Sequence, residues 1–227
     1  MKKTHLATLI SFSIGILALA GCKQETPPAP ESTAVSPAPA ETAAAPEFPE
    51  RPFFGDTHLH TSYSVDAGAF GARLTPRDAY IFAKGNEVTA SSGQPAKLRR
   101  ALDWLVVADH SDAMGLFPML LNGTPEVMAD AQGKKWHDMI TSGQGNAAAI
   151  DIITNFSLGK ISPAILPLPG TKAYASAWQD TIKAAEDAND PGKFTAFIGY
   201  EWTSNTGGNN LRRNVIFRDN GDKAGKM

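Results

Sequence analysis

The run WLVVADHSD, which begins at Trp104, constrains the fold of this chain more than any other stretch. A continuous apolar segment of this length is typical of a buried strand in a parallel sheet. The run changes abruptly into polar residues at Asp109, His110, Ser111 and Asp112. In α/β folds, functional side chains are found at the carboxyl ends of such strands. The run therefore predicts an α/β domain with a site at one edge of its sheet.

Two other predicted strands also end in residues of types that commonly bind metals in proteins. The segment FFGDTHLH delivers His58 and His60 to a loop, and the segment FTAFIGYE ends at Glu201. Residues i and i+2 of a strand point to the same face, roughly 7 Å apart, so these two histidines can approach one ion. Strands and helices alternate along the chain, which favours largely parallel strands. We therefore expect the two histidines, His110 and Glu201 to meet at one edge of the sheet.

The segments between these strands carry helix and turn signals. Thr75, Pro76 and Asp78 have the order that is typical of a capped helix start. We expect a helix or turn capped by Ser111 and limited by Pro118, and a polar connection or short hairpin at VTASSGQPAKLR. The segment NNLRRNVIFRDN predicts a last strand. The segment TKAYASAWQDTIKAAEDAND predicts an amphipathic helix, whose apolar side consists of Ala173, Ala177, Trp178, Ile182 and Ala185.

The residue types at the strand ends suit a transition metal. Imidazoles combined with carboxylates are typical ligands of zinc, manganese and iron, and Asp66 follows the first two histidines closely. The single cysteine excludes an intramolecular disulfide and a cysteine zinc finger. A His-x-His pair alone is a weak signal of metal binding. The alternative for Asp109 and Glu201 is that they cap helices or accept hydrogen bonds from loop amides. His137 lies in a helical pattern and is expected to pack or to face solvent.

The charge of the chain bears on its partners. The formal net charge of -2 gives no electrostatic reason to expect nucleic-acid binding. Arg212 and Arg213, on the last predicted strand, could instead clamp an anionic phosphate or sulfate group through paired hydrogen bonds. The alternative is that both are exposed charges on an edge strand.

The first 50 residues are expected to lie outside the folded domain. Residues 1–21 have a basic start and a short apolar run, as a signal peptide does, and LALAGC resembles a bacterial lipobox. This resemblance implies cleavage before Cys22 and its diacylation, giving a cell-envelope lipoprotein in the outer membrane that faces the periplasm or the exterior. An ordinary secretory signal with an incidental cysteine is the alternative. Residues 22–50 are rich in proline and alanine, which predicts a disordered tether.

The three strand-end segments together resemble a known superfamily. GDTHLHTSYSVDA is similar to the first motif of the PHP (polymerase and histidinol phosphatase) superfamily, VVADHSD resembles the second motif and FIGYEW the third. More closely, the run from FGDTHLH to NNLRRNVIFRD is similar to DUF3604, a bacterial family of secreted proteins of unknown function. This similarity covers about residues 50 to 220.

The resemblance implies a fold, a metal cluster and an activity. The fold would be part of a distorted (β/α)7 barrel with two or three divalent transition-metal ions, Zn, Mn or Fe, at its carboxyl face. His58 and His60 would bind one ion, Asp66 and His110 would serve a neighbouring site, and Glu201 would bridge two ions. The activity would be hydrolysis of a small anionic ester, either a phosphate or a related ester such as a sulfate. The alternative is a non-catalytic, lipid-anchored binding protein on a decayed PHP scaffold.

The resemblance also implies ligands that this sequence lacks. A PHP site has further histidines and a late Asp-x-His after its Gly-x-Glu motif, but no histidine follows His137 here. We therefore expect residues 51–227 to be the N-terminal part of a longer hydrolase domain without its C-terminal strands, or a truncated gene product. Its metal cluster would be incomplete, and its hydrolytic activity weak or absent.

We predict that the mature chain begins at a lipid-modified Cys22. In the membrane fraction of expressing bacteria, mass spectrometry should find an N-terminal peptide whose first residue carries a diacylglyceryl group, because a lipobox directs modification of that sulfur. Cys22→Ser should release the chain from the membrane. An unmodified Cys22 that is still preceded by Gly21 would contradict this prediction.

Overall fold

The domain combines helices with a parallel sheet, as the sequence predicts, although five helices follow one another between the strands Trp104–Val107 and Thr195–Phe197. The structure, a computed structural model, describes residues 51–204 and 211–226. Its strands are β1 (Gly55–Leu59), β2 (Val88–Thr89), β3 (Pro95–Ala96), β4 (Trp104–Val107), β5 (Thr195–Phe197), β6 (Gly199–Ser204) and β7 (Leu211–Ile216). Its helices are α1 (Val65–Ala69), α2 (Pro76–Ala83), α3 (Leu116–Asn122), α4 (Pro125–Ala129), α5 (Ala131–Thr141), α6 (Gly145–Ser157), α7 (Lys172–Ala188) and α8 (Gly221–Ala224).

The central strand of the main sheet is β4, the strand that carries the continuous apolar run. It pairs in parallel with β1 on one side and with β5 on the other. Leu105 and Val107 pack against α2 and α7, and Val106 is fully buried as well. The prediction of an α/β fold with a parallel sheet is therefore confirmed. The PHP-like barrel stays a prediction, since the pairing of the described strands does not close one.

The strand that was predicted to end at Glu201 is in fact two consecutive strands. After β5 the chain continues at once into β6, which pairs antiparallel with β7. The Glu201 amide donates to the Asp109 carbonyl at 2.9 Å, and the Glu201 carbonyl accepts from the Ser111 amide at 2.9 Å. Glu201 therefore lies in the middle of β6 rather than at a strand end. These two bonds nevertheless hold it beside the end of β4.

The helices behind the sheet begin and pack as predicted. Thr75 caps α2 in a reciprocal capping box with Asp78, and Pro76 is the first helical residue. In α7 the predicted apolar side is buried, except that Ala173 is only partly buried. The expected hairpin is present as β2 and β3, which pair antiparallel. Helices α2 and α7, which are far apart in the chain, thus cover one face of the sheet.

The predicted start of α3 is wrong. Ser111 does not cap this helix, which begins at Leu116 after Gly115, a residue with a left-handed φ of 86°. Pro118 lies inside the first turn of α3 rather than limiting the helix. A proline is tolerated there because the amides of a first helical turn have no intrahelical acceptor.

A second apolar cluster forms beside the sheet from helices α3 to α6 and the loop after α6. Its fully buried members include Leu120, Trp136, Ile152 and Ile165. α1 packs against α3 and α6 in this region. This helical layer therefore supports Asp66, which lies in α1.

The N-terminal predictions lie outside the described residues. They are the signal peptide, the lipidation of Cys22 and the tether, all of which fall in residues 1–50. Within residues 51–204 and 211–226, no helix combines the length and the apolar character needed to cross a bilayer.

The contact of β6 with β4 can be tested at Gly199. A β-carbon there would lie 2.5 Å from Cγ1 of Val106 and 2.8 Å from the carbonyl oxygen of Val215. We predict that Gly199→Ala lowers the free energy of unfolding by about 1–3 kcal/mol, because overpacking forces these neighbours apart.

The matched control for this prediction is Gly145→Ala in α6. A β-carbon at Gly145 meets nothing within 4 Å, so we expect a change within about 0.5 kcal/mol. Denaturant unfolding measures both variants against the parent chain. Equal stability of all three proteins would contradict the close packing of β6 on β4.

Candidate metal centre

The five predicted ligand residues meet at the carboxyl edge of the parallel sheet. His58 lies in β1 with His60 just after it, Asp66 lies in α1, His110 follows β4, and Glu201 lies in β6. In two groups, His58 with His60 and Glu201, and His60 with Asp66 and His110, the donor atoms lie within 4.8 Å of one another. These groups could hold a metal ion.

Glu201 is the centre of this cluster. Its side chain is fully buried. Its Oε1 lies 3.2 Å from Nε2 of His58, and its Oε2 lies 3.2 Å from Nε2 of His60 and 3.3 Å from Nδ1 of His110. Neither oxygen accepts a hydrogen bond from any residue that the structure describes. A buried carboxylate without such bonds is costly. The Arg212 guanidinium lies 3.6 Å from Oε2, and a cation held among the histidine donors could compensate the charge further.

The spacing of the nearest donors matches the ligand set of one ion. Nε2 of His58 and Nε2 of His60 are 3.1 Å apart, and each lies 3.2 Å from an oxygen of Glu201. Two ligands bound at about 2.1 Å to one tetrahedral zinc ion are about 3.4 Å apart. The separations of these donors are close to that value, although each histidine approaches a different oxygen of Glu201.

Asp66 connects two of the histidines. Its Oδ1 lies 3.5 Å from Nδ1 of His60, and its Oδ2 lies 3.1 Å from Nε2 of His110. Burial alone would raise the pKa of Asp66, but hydrogen bonds from His110 and His60 hold it well below its usual range. Burial alone would lower the pKa of His110, but Asp112 and Asp66 raise it to about 9. A cation that binds His110 must therefore displace a proton.

Asp109 holds the loop that follows His60. It is fully buried, and its carboxylate accepts hydrogen bonds from the Thr61 amide at 2.6 Å, the Thr61 hydroxyl at 2.6 Å and the Ser64 hydroxyl at 2.9 Å. The same Ser64 hydroxyl accepts from the His110 amide at 2.9 Å. Burial raises the pKa of Asp109, and the bonds from Thr61 and Ser64 oppose that rise. Asp109 thus braces the loop between the first and second ligand groups.

Sequence reasoning missed Thr203. Its hydroxyl oxygen lies 2.8 Å from Nδ1 of His110, and Asp112 Oδ1 lies 3.5 Å from the same nitrogen. Contacts of this kind orient a ligand imidazole and select its tautomer. Thr203 follows Glu201 by two residues, so it shares the same face of β6. That spacing was the available signal in the sequence.

The two candidate arginines lie on different faces of β7. Arg212 pairs opposite Thr203, and Arg213 pairs opposite Trp202. Arg212 therefore shares the face of the cluster, where its Nη1 lies 3.6 Å from Oε2 of Glu201. The Arg213 guanidinium donates to the Arg212 carbonyl at 2.8 Å. Of the two arginines, Arg212 is the one beside the cluster.

His137 lies away from this cluster, in α5. Its Nδ1 is 2.8 Å from the carbonyl oxygen of Leu120, and its ring packs close to Gly123. A partly buried histidine that bonds a helix carbonyl has a packing role. His137 is therefore a suitable control for substitutions of the histidines in the cluster.

The chain was compared with known proteins. A family model described as "Protein of unknown function (DUF3604)" matches residues 47–227. No curated protein matches the chain, and no solved structure matches it. The matched region contains all five residues of the cluster, but its description gives no activity. The activity must therefore be inferred from the chemistry of the cluster itself.

We predict that Asp109→Asn lowers the free energy of unfolding by about 2–4 kcal/mol. The amide that replaces one carboxylate oxygen is a donor, so it would face the donor groups of Thr61 or Ser64, and hydrogen bonds to a charged acceptor would be lost. The control is Asp138→Asn, which removes an exposed pair with Lys134 and should cost about 1 kcal/mol or less. Thermal or denaturant unfolding measures the difference. A loss no larger than that of the control would contradict the bracing role of Asp109.

Proposed function

The chain belongs to the DUF3604 family of proteins of unknown function, and from its site we propose that it is a metal-dependent hydrolase of a phosphate or related ester, such as a sulfate. The observation that carries the proposal is the buried carboxylate of Glu201. It faces nitrogens of three histidines at 3.2–3.3 Å and accepts no hydrogen bond from the described residues. Imidazole and carboxylate donors in this arrangement suit Zn, Mn or Fe.

The roles of the cluster follow from the donor atoms. His58, His60 and one oxygen of Glu201 would hold one ion, while Asp66 and His110 would serve a second, with the other oxygen of Glu201 facing His110. Ions held there would supply activated water and would neutralise negative charge that develops on the ester. The resemblance of the strand-end motifs to the PHP superfamily supports this assignment.

The residues around the ligands keep the cluster in place. Thr203 contacts one nitrogen of the His110 ring at hydrogen-bond distance and would fix its orientation, and Asp112 lies near the same nitrogen. Asp109 fixes the loop after His60. Arg212, on the same face as Glu201, would pair with an oxygen of the ester's anionic group. The reaction joins the oxygen of water to phosphorus or sulfur, breaks the bond to the alcohol oxygen, and leaves a proton on that oxygen.

We extend the proposal to fold class and location. A parallel sheet with ligand residues at its carboxyl edge is compatible with a PHP-like barrel, and the motif resemblance supports that fold. The lipobox-like segment that ends at Cys22 supports anchoring in the cell envelope. A small anionic ester is the substrate that we expect there.

We predict that Glu201→Gln and His58→Ala each lose most of the bound metal. After the chain is loaded with zinc or manganese and passed through a desalting column, elemental analysis should find little metal in either variant. Turnover of an aryl phosphate should fall by roughly 100-fold or more, because the metal contributes several kcal/mol of transition-state stabilisation. His137→Gln should keep both the metal and the activity of the parent chain.

The two readouts separate the possible outcomes. Unchanged metal content in both variants would contradict the site. Because no histidine follows His137 and the cluster is expected to be incomplete, turnover by the parent chain should be slow. Stoichiometric metal with no detectable turnover of phosphate or sulfate esters would contradict the hydrolase and support a non-catalytic binding protein.

A further inference from the structure

A cavity of about 380 Å³ opens beside the metal cluster. One end of this cavity is polar and contains residues of the cluster and their neighbours, namely Asp66, His110, Asp112, Thr203 and Arg212. The other lining residues are Ser157 and four apolar residues, Val65, Phe70, Ile153 and Phe156, which form an apolar wall. The cavity is therefore divided between a charged part and an apolar part.

The apolar wall includes Ile153 and Phe156 of α6, which lie at the margin of the side that the helix packs on the core. Ala148, Ala149 and Ile152 of this helix are buried in the core. Ile153 and Phe156 are only partly buried and line the cavity. A helix that packs on one side is ordinarily polar on the other. Phe156 also packs against the second apolar cluster, whereas Ile153 is not among the residues described for the apolar clusters and lines the cavity.

Phe70 completes the wall from the opposite helix. It follows α1 directly, four residues after Asp66, and 61% of its surface is exposed. A single exposed aromatic residue is ordinary. This one, however, lines the same cavity as Ile153 and Phe156, and apolar groups gathered at one cavity beside a polar site are typical of a ligand pocket.

We propose that this pocket receives the alcohol part of the ester and selects an apolar group of about the size of a phenyl ring. The inference rests on the proposed function, which sets the anionic group at the polar end, near Arg212 and the ion that Asp66 and His110 would hold. The hydroxyl groups of a sugar or a nucleotide would lose hydrogen bonds to water against the apolar wall. A phenyl or benzyl group loses none, and it gains by burial of its apolar surface.

The reaction in this pocket is the hydrolysis of an aryl or arylalkyl ester. The bond between the phosphorus or sulfur atom and the alcohol oxygen breaks. The oxygen of one water molecule joins the phosphorus or sulfur atom, and one proton of that water passes to the departing oxygen. The products are a phenol or an apolar alcohol and the free inorganic oxyanion.

The first test measures binding and does not need turnover. Calorimetric titration of the zinc-loaded full chain with phenylphosphonate and with methylphosphonate should give about tenfold tighter binding of the phenyl compound, through burial of its ring. Phe70→Ala should bring this ratio towards one and leave methylphosphonate binding unchanged. Ile153→Ser should act in the same way.

Leu158→Ala is the matched control for these variants. Leu158 directly follows α6 and is 60% exposed. It is not one of the described residues that line the cavity. The variant should keep the phenyl preference of the parent chain. Equal affinity for the two phosphonates, or a preference that neither Phe70→Ala nor Ile153→Ser reduces, would overturn the inference.

The second test distinguishes this inference from the hydrolase proposal. Benzyl phosphate and glycerol phosphate both have an alkyl alcohol as the leaving group. A difference in their kcat/KM therefore reports on the pocket. We expect about a tenfold preference for benzyl phosphate. Equal turnover of both esters, unaffected by Phe70→Ala, would overturn the apolar pocket and leave the hydrolase standing. A phenyl preference in binding without any turnover would support the pocket and contradict the hydrolase.

Discussion

The burial of the Glu201 carboxylate is the constraint on which the rest of the site depends. The backbone of Glu201 is bonded on both sides to the end of β4, through the Asp109 carbonyl and the Ser111 amide. These bonds direct its side chain towards His58 in β1 and towards His60 and His110, which follow β1 and β4. A carboxylate at 0% exposure is costly unless opposite charge compensates it. The three histidine nitrogens around Glu201 are therefore best understood as one set of donors around this carboxylate rather than as three independent pairs.

The end of β4 serves two purposes through neighbouring residues. Asp109 is directed into the loop after His60, where Thr61 and Ser64 bond to it, while the next residue, His110, is directed into the cluster. Successive residues of an extended chain point in opposite directions, which explains this division. Asp109 holds the ligand loop, and His110, which is also buried, supplies a donor to the cluster. Ligand sites commonly need such supporting groups as much as the ligands themselves.

The helical layer formed by α1 and α3 to α6 makes one side of the site different from the other. It packs on one side of the cluster and contributes Asp66 to the polar end and Phe70, Ile153 and Phe156 to the apolar wall. The strands alone would provide donors open to solvent. An apolar wall beside them lowers the local polarity, which strengthens electrostatic interactions within the site. The layer thus contributes both a ligand and the surroundings in which that ligand acts.

Sequence alone determined those features that depend on near neighbours in the chain. The apolar run of β4, the capping box of Thr75 and Asp78, the apolar side of α7 and the i, i+2 spacing of His58 and His60 were predicted because each is a local pattern. Only the tertiary structure decided the break between β5 and β6, the partner of His110 at Thr203, and the side of β7 on which Arg212 lies. The physical reason is strand register, since a shift of one residue would exchange Arg212 and Arg213 between the two faces. Register is set by packing between segments that are far apart in the chain, and no local pattern records it.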